Sequence, residues 1–242
     1  MLIPYLGEKS KFSDFIIPQI PLNISTYVEP FGGMFSIFFC LDLSKYPNTK
    51  FIYNDINRLN YLIFKNLKDP VFVNKIQKEE SDSDRYYQIQ KDWINNNWTD
   101  YEWTINWIIL LCCSYSRYKI LDGEWRGNSE FEVFKMKLKW NNFNLDKINE
   151  VLNQDYQTVI NKYDNKETLF YLDPPYKDRE HYYINHPFSE ESHYELNNIL
   201  NNIKGRFILS YYNFAEMKEW YKDYRIIHNN GIMGIEYLIM NF

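Results

Sequence analysis

Short apolar runs that end in turn residues alternate with helix-like patterns along most of the chain. The run Thr168 to Leu172 (Thr-Leu-Phe-Tyr-Leu) is typical of a short buried strand, and comparable runs lie at 25–29, 51–53 and 206–210. Strands that alternate with helices indicate βαβ units. The pattern therefore predicts an α/β fold with a Rossmann-like sheet and helices on both of its faces.

The remaining segments are assigned by the same patterns. A closing hairpin is predicted between 224–228 and 234–240, with its turn at Asn229-Asn230-Gly231. Helices are predicted at 11–19, from the glycines at 32–33 through Leu41, up to Lys68, at 103–114, 144–153, 189–203 and 214–221. The alternation is interrupted in the middle of the chain, where 117–139 has no single period. We therefore predict a core of residues 1–68 and 145–242, with an inserted and mostly helical region at 69–144.

The tetrapeptide Asp173-Pro174-Pro175-Tyr176 directly follows the strand that ends at Leu172. Two prolines stop the strand, because proline lacks a backbone N–H donor and has a fixed φ. Asp173 and Tyr176 are therefore predicted at the carboxyl end of a strand, the edge at which open α/β sheets bind ligands. The arrangement suits alkylation of a nucleobase amine, whose protons Asp173 and the Pro174 carbonyl would accept while the base stacks on Tyr176. The alternative is an Asp-Pro turn beside a core tyrosine.

A glycine turn at 30–36 follows the strand predicted at 25–29. Glycines let the backbone approach a ligand, and a helix after such a turn points its amino terminus at that ligand. Asp55 ends the next strand about 20 residues further on, where an acid binds ribose hydroxyls, although it would also cap a helix. Lys9 lies just beyond a turn at Gly7, where it would serve an anionic or adenine-bearing ligand or extend into solvent.

Composition narrows the class of protein. Of the 242 residues, 45% are hydrophobic and 19% aromatic, which indicates a globular chain with many rings that can line or stack on a ligand. The net charge of -5 argues weakly against a nucleic-acid partner, but local basic clusters exist at 9–11 and 135–139. The lysines at 135–139 fit a phosphate track or a solvated face. Tryptophans in the insert fit either base stacking or a core, with the core favoured: Trp93, Trp98, Trp103 and Trp107.

Cysteine and histidine usage points to the compartment. Cys40, Cys112 and Cys113 are odd in number, which fits a reducing, intracellular setting rather than a disulfide framework. No signal-peptide pattern is present at the amino terminus, and the longest apolar run, 107–113, is too short to cross a bilayer. The histidines show no zinc-type spacing with the cysteines. We therefore expect a soluble, cytoplasmic protein that binds neither metal nor membrane.

In their order along the chain, these motifs resemble those of the Dam-like family of DNA adenine-N(6) methyltransferases. Residues 4–10 look like the family's amino-terminal aromatic-x-Gly-x-Lys motif, and 29–36 is similar to its Glu-Pro-Phe-x-Gly-x-Gly-Ser loop. Asn54-Asp55 looks like its Asn-Asp pair, and 173–176 matches its catalytic motif at all four positions. The segments 206–210 and 236–242 also look like late family strands.

The resemblance implies a Rossmann-like methyltransferase that flips an adenine out of DNA and methylates its exocyclic amine with S-adenosylmethionine. It implies that the insert at 69–144 reads the target sequence. Duplex DNA is the implied partner, and a companion restriction endonuclease is a further partner that it allows. It implies four catalytic residues, Asp173, Pro174, Pro175 and Tyr176. It implies a cofactor site formed by Tyr5, Lys9, Glu29, Phe31, Gly33, Asp55 and Asp173.

Two departures from the family pattern limit what can be carried over. Phe35 replaces the last glycine of the cofactor loop, which predicts a looser approach of the backbone to the cofactor and a weaker affinity. Residues 126–131 are only partly similar to the family's target-reading segment, so no target sequence is carried over. Three alternatives stay open: methylation of an amine in RNA, methylation of a glutamine amide, and a degenerate cofactor-binding partner subunit. The charged segment 177–187 is expected to form a mobile loop over the site.

Overall fold

The computed structural model describes residues 3–116, 120–140, 143–177, 188–231 and 234–242. The strands in these ranges are β1 Thr26–Glu29, β2 Lys50–Asn54, β3 Ile148–Leu152, β4 Thr168–Leu172, β5 Arg206–Tyr211, β6 Arg225–Gly231 and β7 Gly234–Met240. They form one seven-stranded sheet in the order β3-β2-β1-β4-β5-β7-β6. The first five strands in this order are parallel, and β7 runs antiparallel to both β5 and β6. The predicted α/β, Rossmann-like fold is confirmed.

The strand order places the predicted site at a reversal of the sheet. The chain moves outward from β1 through β2 to β3 and then returns to β4 on the other side of β1. Ligands of doubly wound folds bind beside the carboxyl ends of the strands at such a reversal. Glu29, Asp55 and Asp173 all lie at or just beyond the carboxyl ends of β1, β2 and β4.

The helices in the described ranges vary in length from one turn to four. They are α1 Ser13–Ile16, α2 Arg58–Leu67, α3 Pro70–Ile76, α4 Ser83–Asp92, α5 Asp100–Cys113, α6 Ser129–Trp140, α7 Tyr156–Tyr163, α8 Glu190–Asn202 and α9 Met217–Trp220. Their starts follow the sequence: Ser189 caps α8 and Thr99 caps α5, each in a capping box that satisfies first-turn N–H groups. The segment 117–139, whose sequence shows no single helix or strand period, contains most of α6.

Side chains alternate between the two faces of the sheet along each strand, so a layer of the core lies on each face. Val28 and Ile52 face α7 and α8 within one apolar cluster, together with Phe170 of β4. The neighbouring residues Tyr27 and Phe51 point to the opposite face, where Phe51 packs against Phe38 at a ring-centroid distance of 5.1 Å. Both faces of the sheet are therefore covered, and its central strands are fully buried.

Two predicted helices are wrong. The segment 144–153 forms β3 instead, because its backbone pairs with β2 as an edge strand, and the Phe51 N–H donates to Asn149 Oδ1 (2.8 Å) where the register shifts. The helix predicted after the glycines is one 3₁₀ turn, Phe38–Cys40, because Phe35 takes a left-handed φ of 53° that interrupts the helical path. The β6–β7 hairpin is confirmed, but Asn229, Asn230 and Gly231 lie within β6, so they are not its turn.

The chain divides into two compact units. A helical unit contains residues 1–8 and 58–146, and a sheet unit contains residues 9–57 and 147–242. In the described ranges, no helix is long and apolar enough to cross a membrane. Within the same ranges, no group of three or more His, Cys, Asp or Glu side chains is placed to hold a metal ion.

Candidate active site

Asp173 leaves the sheet at the end of the fully buried strand β4, as the paired prolines require. Its Oδ1 lies 2.8 Å from Lys9 Nζ. The Lys9 side chain is only 6% exposed and that of Asp173 is 20% exposed, so the ion pair is largely withdrawn from water. The structure therefore brings together two residues that are 164 positions apart in the sequence, as 173 minus 9 gives.

Tyr176 extends this cluster. Lys9 Nζ lies over its ring, 4.8 Å from the centroid. The ring also lies nearly parallel to the rings of Tyr211 and Tyr212, with centroid distances of 5.8 Å and 6.3 Å. Its hydroxyl donates to Glu236 Oε1 at 2.6 Å. The ring is thus fixed at its edge and lies in an aromatic setting that can accept a flat ligand.

The electrostatics of the cluster are governed by burial. Burial raises the pKa of Asp173 to about 6; the Lys9 ammonium opposes this rise and the Glu236 carboxylate adds to it. Burial also raises the pKa of Glu29 well above its usual range, although the Tyr27 hydroxyl donates to Glu29 Oε1 at 2.7 Å. The site therefore concentrates acidic groups around one buried ammonium.

The glycine loop and Asp55 are joined by a hydrogen bond that the sequence reasoning did not predict. The Gly33 N–H donates to Asp55 Oδ2 (2.7 Å), and the Asn57 N–H donates to Asp55 Oδ1 (2.7 Å). Gly32 packs so closely on β2 that an added Cβ would lie 2.5 Å from Tyr53 Cε2. A carboxylate oxygen has two lone pairs, so Asp55 can accept a further hydrogen bond from a ribose hydroxyl.

The two phenylalanines of the loop have different roles. Phe31 is partly buried and packs against Tyr156 and Phe188, with centroid distances of 5.1 Å and 5.6 Å. Phe35, in the place of the family glycine, keeps a left-handed backbone (φ 53°), and its fully buried ring stacks on Phe38 at 4.4 Å. Phe35 therefore retains a conformation that glycine adopts easily, and its ring is packed into the core.

Tyr5 belongs to the helical unit, whereas the other residues of the predicted site belong to the sheet unit. Its hydroxyl accepts a hydrogen bond from Asn60 Nδ2 (2.9 Å), and Asn60 Oδ1 accepts one from Trp107 Nε1 (3.3 Å). Asn60 is fully buried. The described contacts of Tyr5 therefore give it a structural place in that unit, and its cofactor role stays a prediction.

Two residues that contact Tyr176, Glu236 and Tyr211, were missed as site residues by the sequence reasoning. Glu236 on β7 is 4% exposed and accepts hydrogen bonds from Tyr176 and from Ser210. Tyr211, the last residue of β5, stacks near Tyr176 and hydrogen-bonds to His193. In the sequence, Glu236 directly precedes the apolar run 237–240. An acid in this place is equally typical of a solvated strand end, so the pattern alone does not indicate a site residue.

Most of the side chains in the insert that were considered as DNA contacts pack against or pair with other groups of the protein. The tryptophans at 93, 98, 103 and 107 pack on one another with centroid distances from 4.9 Å to 5.8 Å, which favours the core interpretation. Lys135 is neither a solvated residue nor part of a phosphate track, because it is buried, donates to the Glu79 carbonyl (2.7 Å) and pairs with Glu132 (2.9 Å). Lys139 is exposed. The predicted mobile loop lies outside the described residues except for Lys177, which pairs with Glu190 and Glu216.

The acceptor groups at this edge of the sheet fit a cationic nucleoside better than an anionic one. Glu29, Asp55 and Asp173 contribute carboxyl groups, and Lys9 is engaged by one of them. Carboxylates accept hydrogen bonds from hydroxyl and ammonium groups, whereas a phosphate would meet like charge. The arrangement is suited to holding a ribose and a positive group beside Tyr176.

Comparison with known proteins agrees with this chemistry. A type II methyltransferase, M.MjaIII from Methanocaldococcus jannaschii, is 24% identical over 199 residues, which are 72% of this chain and 68% of that protein. The rRNA methyltransferase aviRa from Streptomyces viridochromogenes aligns over 98% of this chain and 85% of its own, with a TM-score of 0.43 and 10% identity, a likeness too low to carry an argument.

The family comparison is decisive because it spans both units. The model of the D12 class N6 adenine-specific DNA methyltransferases matches residues 5–235, including the segment between the cofactor loop and the Asp-Pro-Pro-Tyr motif. The resemblance drawn from the motifs is confirmed. Members of this family use a methyl donor and act on DNA. The chain therefore belongs to the D12 class N6 adenine-specific DNA methyltransferase family, whose reaction is methylation of the exocyclic amine of adenine in DNA.

Proposed function

We propose that Asp173, Pro174, Pro175 and Tyr176 form the methylating site of this enzyme and that S-adenosylmethionine is its methyl donor. The observation that carries the proposal is the cluster at the end of β4, in which Lys9 contacts Asp173 at 2.8 Å and lies over the Tyr176 ring at 4.8 Å. These groups stand at the sheet edge where α/β folds bind nucleotides.

Asp173 and Pro174 act on the target amine. The lone pair of an exocyclic amine is delocalised into the base, so the nitrogen is a poor nucleophile until acceptors engage its protons. Asp173 Oδ2 and the Pro174 carbonyl would accept these protons, while Lys9 holds Asp173 through Oδ1. The amine would then bond to the methyl carbon as the bond between this carbon and the cofactor's sulfur breaks and leaves a neutral thioether, and the amine's proton would pass by way of Asp173 to solvent only after the new bond has formed. Catalysis therefore depends on position and on acceptors aimed at the developing charge.

Tyr176 receives the base, and Pro175 with Pro174 stiffens the backbone between the acid and the ring. Extrusion of an adenine from duplex DNA costs a few kcal/mol, and stacking on an aromatic ring returns about 1–3 kcal/mol. Because the Tyr176 hydroxyl donates to Glu236, the ring would act through its face.

The cofactor is assigned to the acidic edge of the sheet. When bound, S-adenosylmethionine supplies a methyl group on a positively charged sulfur. Asp55 would hold ribose hydroxyls, and Glu29 and Lys9 would lie beside the methionine portion. Phe31 and Gly33 would line the loop, and the cofactor role of Tyr5 stays a prediction.

The pH dependence follows from Asp173. A carboxylate accepts hydrogen bonds from the amine better than a carboxylic acid does. The pKa of Asp173 is raised to about 6, so the carboxylate form is lost as the pH falls through that value. Transfer is therefore expected to decline on the acid side of about pH 6 and to be maintained at neutral pH.

The region at 69–144 would read the target sequence, because it separates the cofactor motifs from the catalytic motif and carries exposed groups such as Lys139 on α6. The substrate would be duplex DNA. By analogy with the type II relative, the enzyme would protect DNA against a companion restriction endonuclease. A reducing, cytoplasmic place of action fits the three cysteines, which form no disulfide bond.

The test is transfer of a labelled methyl group from S-adenosylmethionine to unmethylated double-stranded DNA, with single-stranded DNA and RNA in parallel. Label in adenine of duplex DNA is the expected result. Label in RNA alone, or cofactor binding without transfer to any of the three, would contradict the proposal. The second outcome is what a degenerate cofactor-binding subunit would give.

A further inference from the structure

Glu236 is a buried acid to which none of the motifs assigns a role. It lies on the antiparallel strand β7 and is 4% exposed. Its Oε1 accepts hydrogen bonds from the Tyr176 hydroxyl (2.6 Å) and from the Ser210 hydroxyl, which belongs to β5. One carboxyl oxygen therefore links the carboxyl-terminal hairpin to the Asp-Pro-Pro-Tyr segment and to the neighbouring strand.

An acid is an unfavourable choice if this position only joins three segments. Burial of a carboxylate is costly, and a neutral amide could accept the same two hydrogen bonds. The carboxylate also acts on Asp173, whose pKa it raises. Burial of a second acid beside the proposed catalytic acid costs stability, and this cost needs a functional reason.

We propose that Glu236 is a positioning residue for methyl transfer, which fixes the edge of the Tyr176 ring so that its face meets the target base beside Asp173. The proposal rests on the function proposed above. With its hydroxyl engaged by Glu236, Tyr176 cannot rotate freely about its ring-bearing bond, and the base is placed in one orientation relative to Asp173. Misplacement of the reacting atoms by a fraction of an ångström to an ångström is enough to slow an oriented reaction.

The charges around Asp173 provide a second way to test the role of Glu236, through the pKa of Asp173. Lys9 faces Asp173 and lowers its pKa, whereas Glu236 raises it. The neighbouring ionisable groups are Glu29 at the end of β1, Tyr171 on β4 and Tyr176, all of which interact electrostatically with Asp173. Removal of the Glu236 charge alone should therefore lower the pKa of Asp173 and shift the acid limb of activity towards lower pH.

The experiment compares Glu236→Gln and Glu236→Ala with wild type in the full chain. Glutamine keeps an acceptor for Tyr176 and Ser210, so Glu236→Gln should retain transfer within about threefold and move the acid limb of activity to lower pH. Alanine removes the acceptor, so Glu236→Ala should lower kcat by about tenfold, the loss also expected for Tyr176→Phe, and by more than Glu236→Gln does, with little change in S-adenosylmethionine affinity. Glu150→Gln is the matched control, since Glu150 is a glutamate on β3 that pairs with Lys162 at the surface.

A titration that does not need turnover separates this proposal from the proposed function. The isotope-labelled Asp173 carboxyl, assigned with Asp173→Asn, should titrate at lower pH in Glu236→Gln than in wild type and unchanged in Glu150→Gln. An unchanged titration in Glu236→Gln, or a Glu236→Ala variant that is folded and as active as wild type, would overturn the role of Glu236. A wild-type chain that transfers no methyl group would contradict the proposed function, and the titration would still decide whether Glu236 acts on Asp173.

Discussion

The sheet unit and the helical unit bury different kinds of polar group. Several of the buried polar residues in the sheet unit have ionisable side chains: Lys9, Glu29, Asp55 and Glu236. Those of the helical unit are mostly neutral amides and hydroxyls, and Asn66, for example, donates to Thr104 Oγ1 at 2.6 Å. The buried lysine of the helical unit, Lys135, donates to the Glu79 carbonyl and forms an ion pair with the Glu132 carboxylate.

This difference separates buried polar groups that stabilise the fold from buried polar groups that serve the proposed reaction. A neutral hydrogen-bonded pair costs little to bury and fixes the packing of helices. A group of acids around one lysine is costly, as the raised pKa values of Glu29 and Asp173 indicate. The sheet unit therefore sacrifices stability at the place where the reaction is proposed, while the helical unit does not.

Apart from loss of the Asp173 carboxylate, the largest expected effect comes from the ring of Tyr176. Tyr176→Ala removes the stacking surface and should lower the rate of methyl transfer on the order of 100-fold, because stacking on an aromatic ring is worth about 1–3 kcal/mol. Tyr176→Phe keeps the ring and loses only the hydrogen bond to Glu236, so it should stay within about tenfold of wild type. Single-turnover transfer measures both. Equal losses in the two variants would argue against stacking.

Removal of the buried ammonium should have the next largest effect. In Lys9→Gln the pKa of Asp173 rises further, because the charge that lowers it is gone. At neutral pH and saturating cofactor, transfer should fall by about tenfold or more and recover as the pH is raised. Lys162→Gln, which breaks a surface pair with Glu150, is the control and should be unaffected. A loss that alkaline pH does not restore would mean that Lys9 does not act through Asp173.

The strained loop of the sheet unit offers a smaller, thermodynamic test. Phe35→Ala and Phe35→Gly both remove a buried ring and should destabilise the fold by about 3–5 kcal/mol. Because φ is 53° at this position, glycine should be more stable than alanine by about 1 kcal/mol, measured by denaturant unfolding. Phe38, in a right-handed 3₁₀ turn, is the control at which alanine should be the more stable substitution. The same order at both positions would refute backbone strain at Phe35.

The smallest expected effect tests the helical unit as a DNA-contacting region. Lys139→Gln should reduce the salt dependence of duplex DNA binding by about one phosphate contact and leave kcat unchanged. Lys166→Gln is the comparison, because Lys166 is an exposed residue before the amino end of β4, on the edge of the sheet opposite the site. Identical salt slopes for wild type and Lys139→Gln would remove Lys139 from the interface.

The catalytic edge of the fold could be predicted because its signals are local. Two prolines after an apolar strand determine where Asp173 leaves the sheet, and the spacing from the glycines places Asp55 at the end of the next strand, where the structure has it. The family and its reaction could be named from the order of four motifs, and the family comparison confirms them. The assignment of individual residues to cofactor and base stays a prediction.

Other features depend on contacts that no local pattern contains. The link between Tyr176 and Glu236 exists because β7 inserts between β5 and β6, a pairing of distant segments. The strand β3 has helix-like spacing, and its pairing with β2 overrides that pattern. Lys135 lies in a row of alternating lysines, yet its place on α6 turns it inward towards Glu79.

The central claim is that Asp173 and Tyr176 form the methylating site of this enzyme. Its most direct test is nucleoside mass spectrometry of unmethylated duplex DNA after incubation with S-adenosylmethionine and either the wild-type chain or Asp173→Ala. We expect N6-methyladenine with wild type and none above background with Asp173→Ala, which should still bind the cofactor, although more weakly. N6-methyladenine formed by Asp173→Ala within about tenfold of the wild-type rate would contradict the claim.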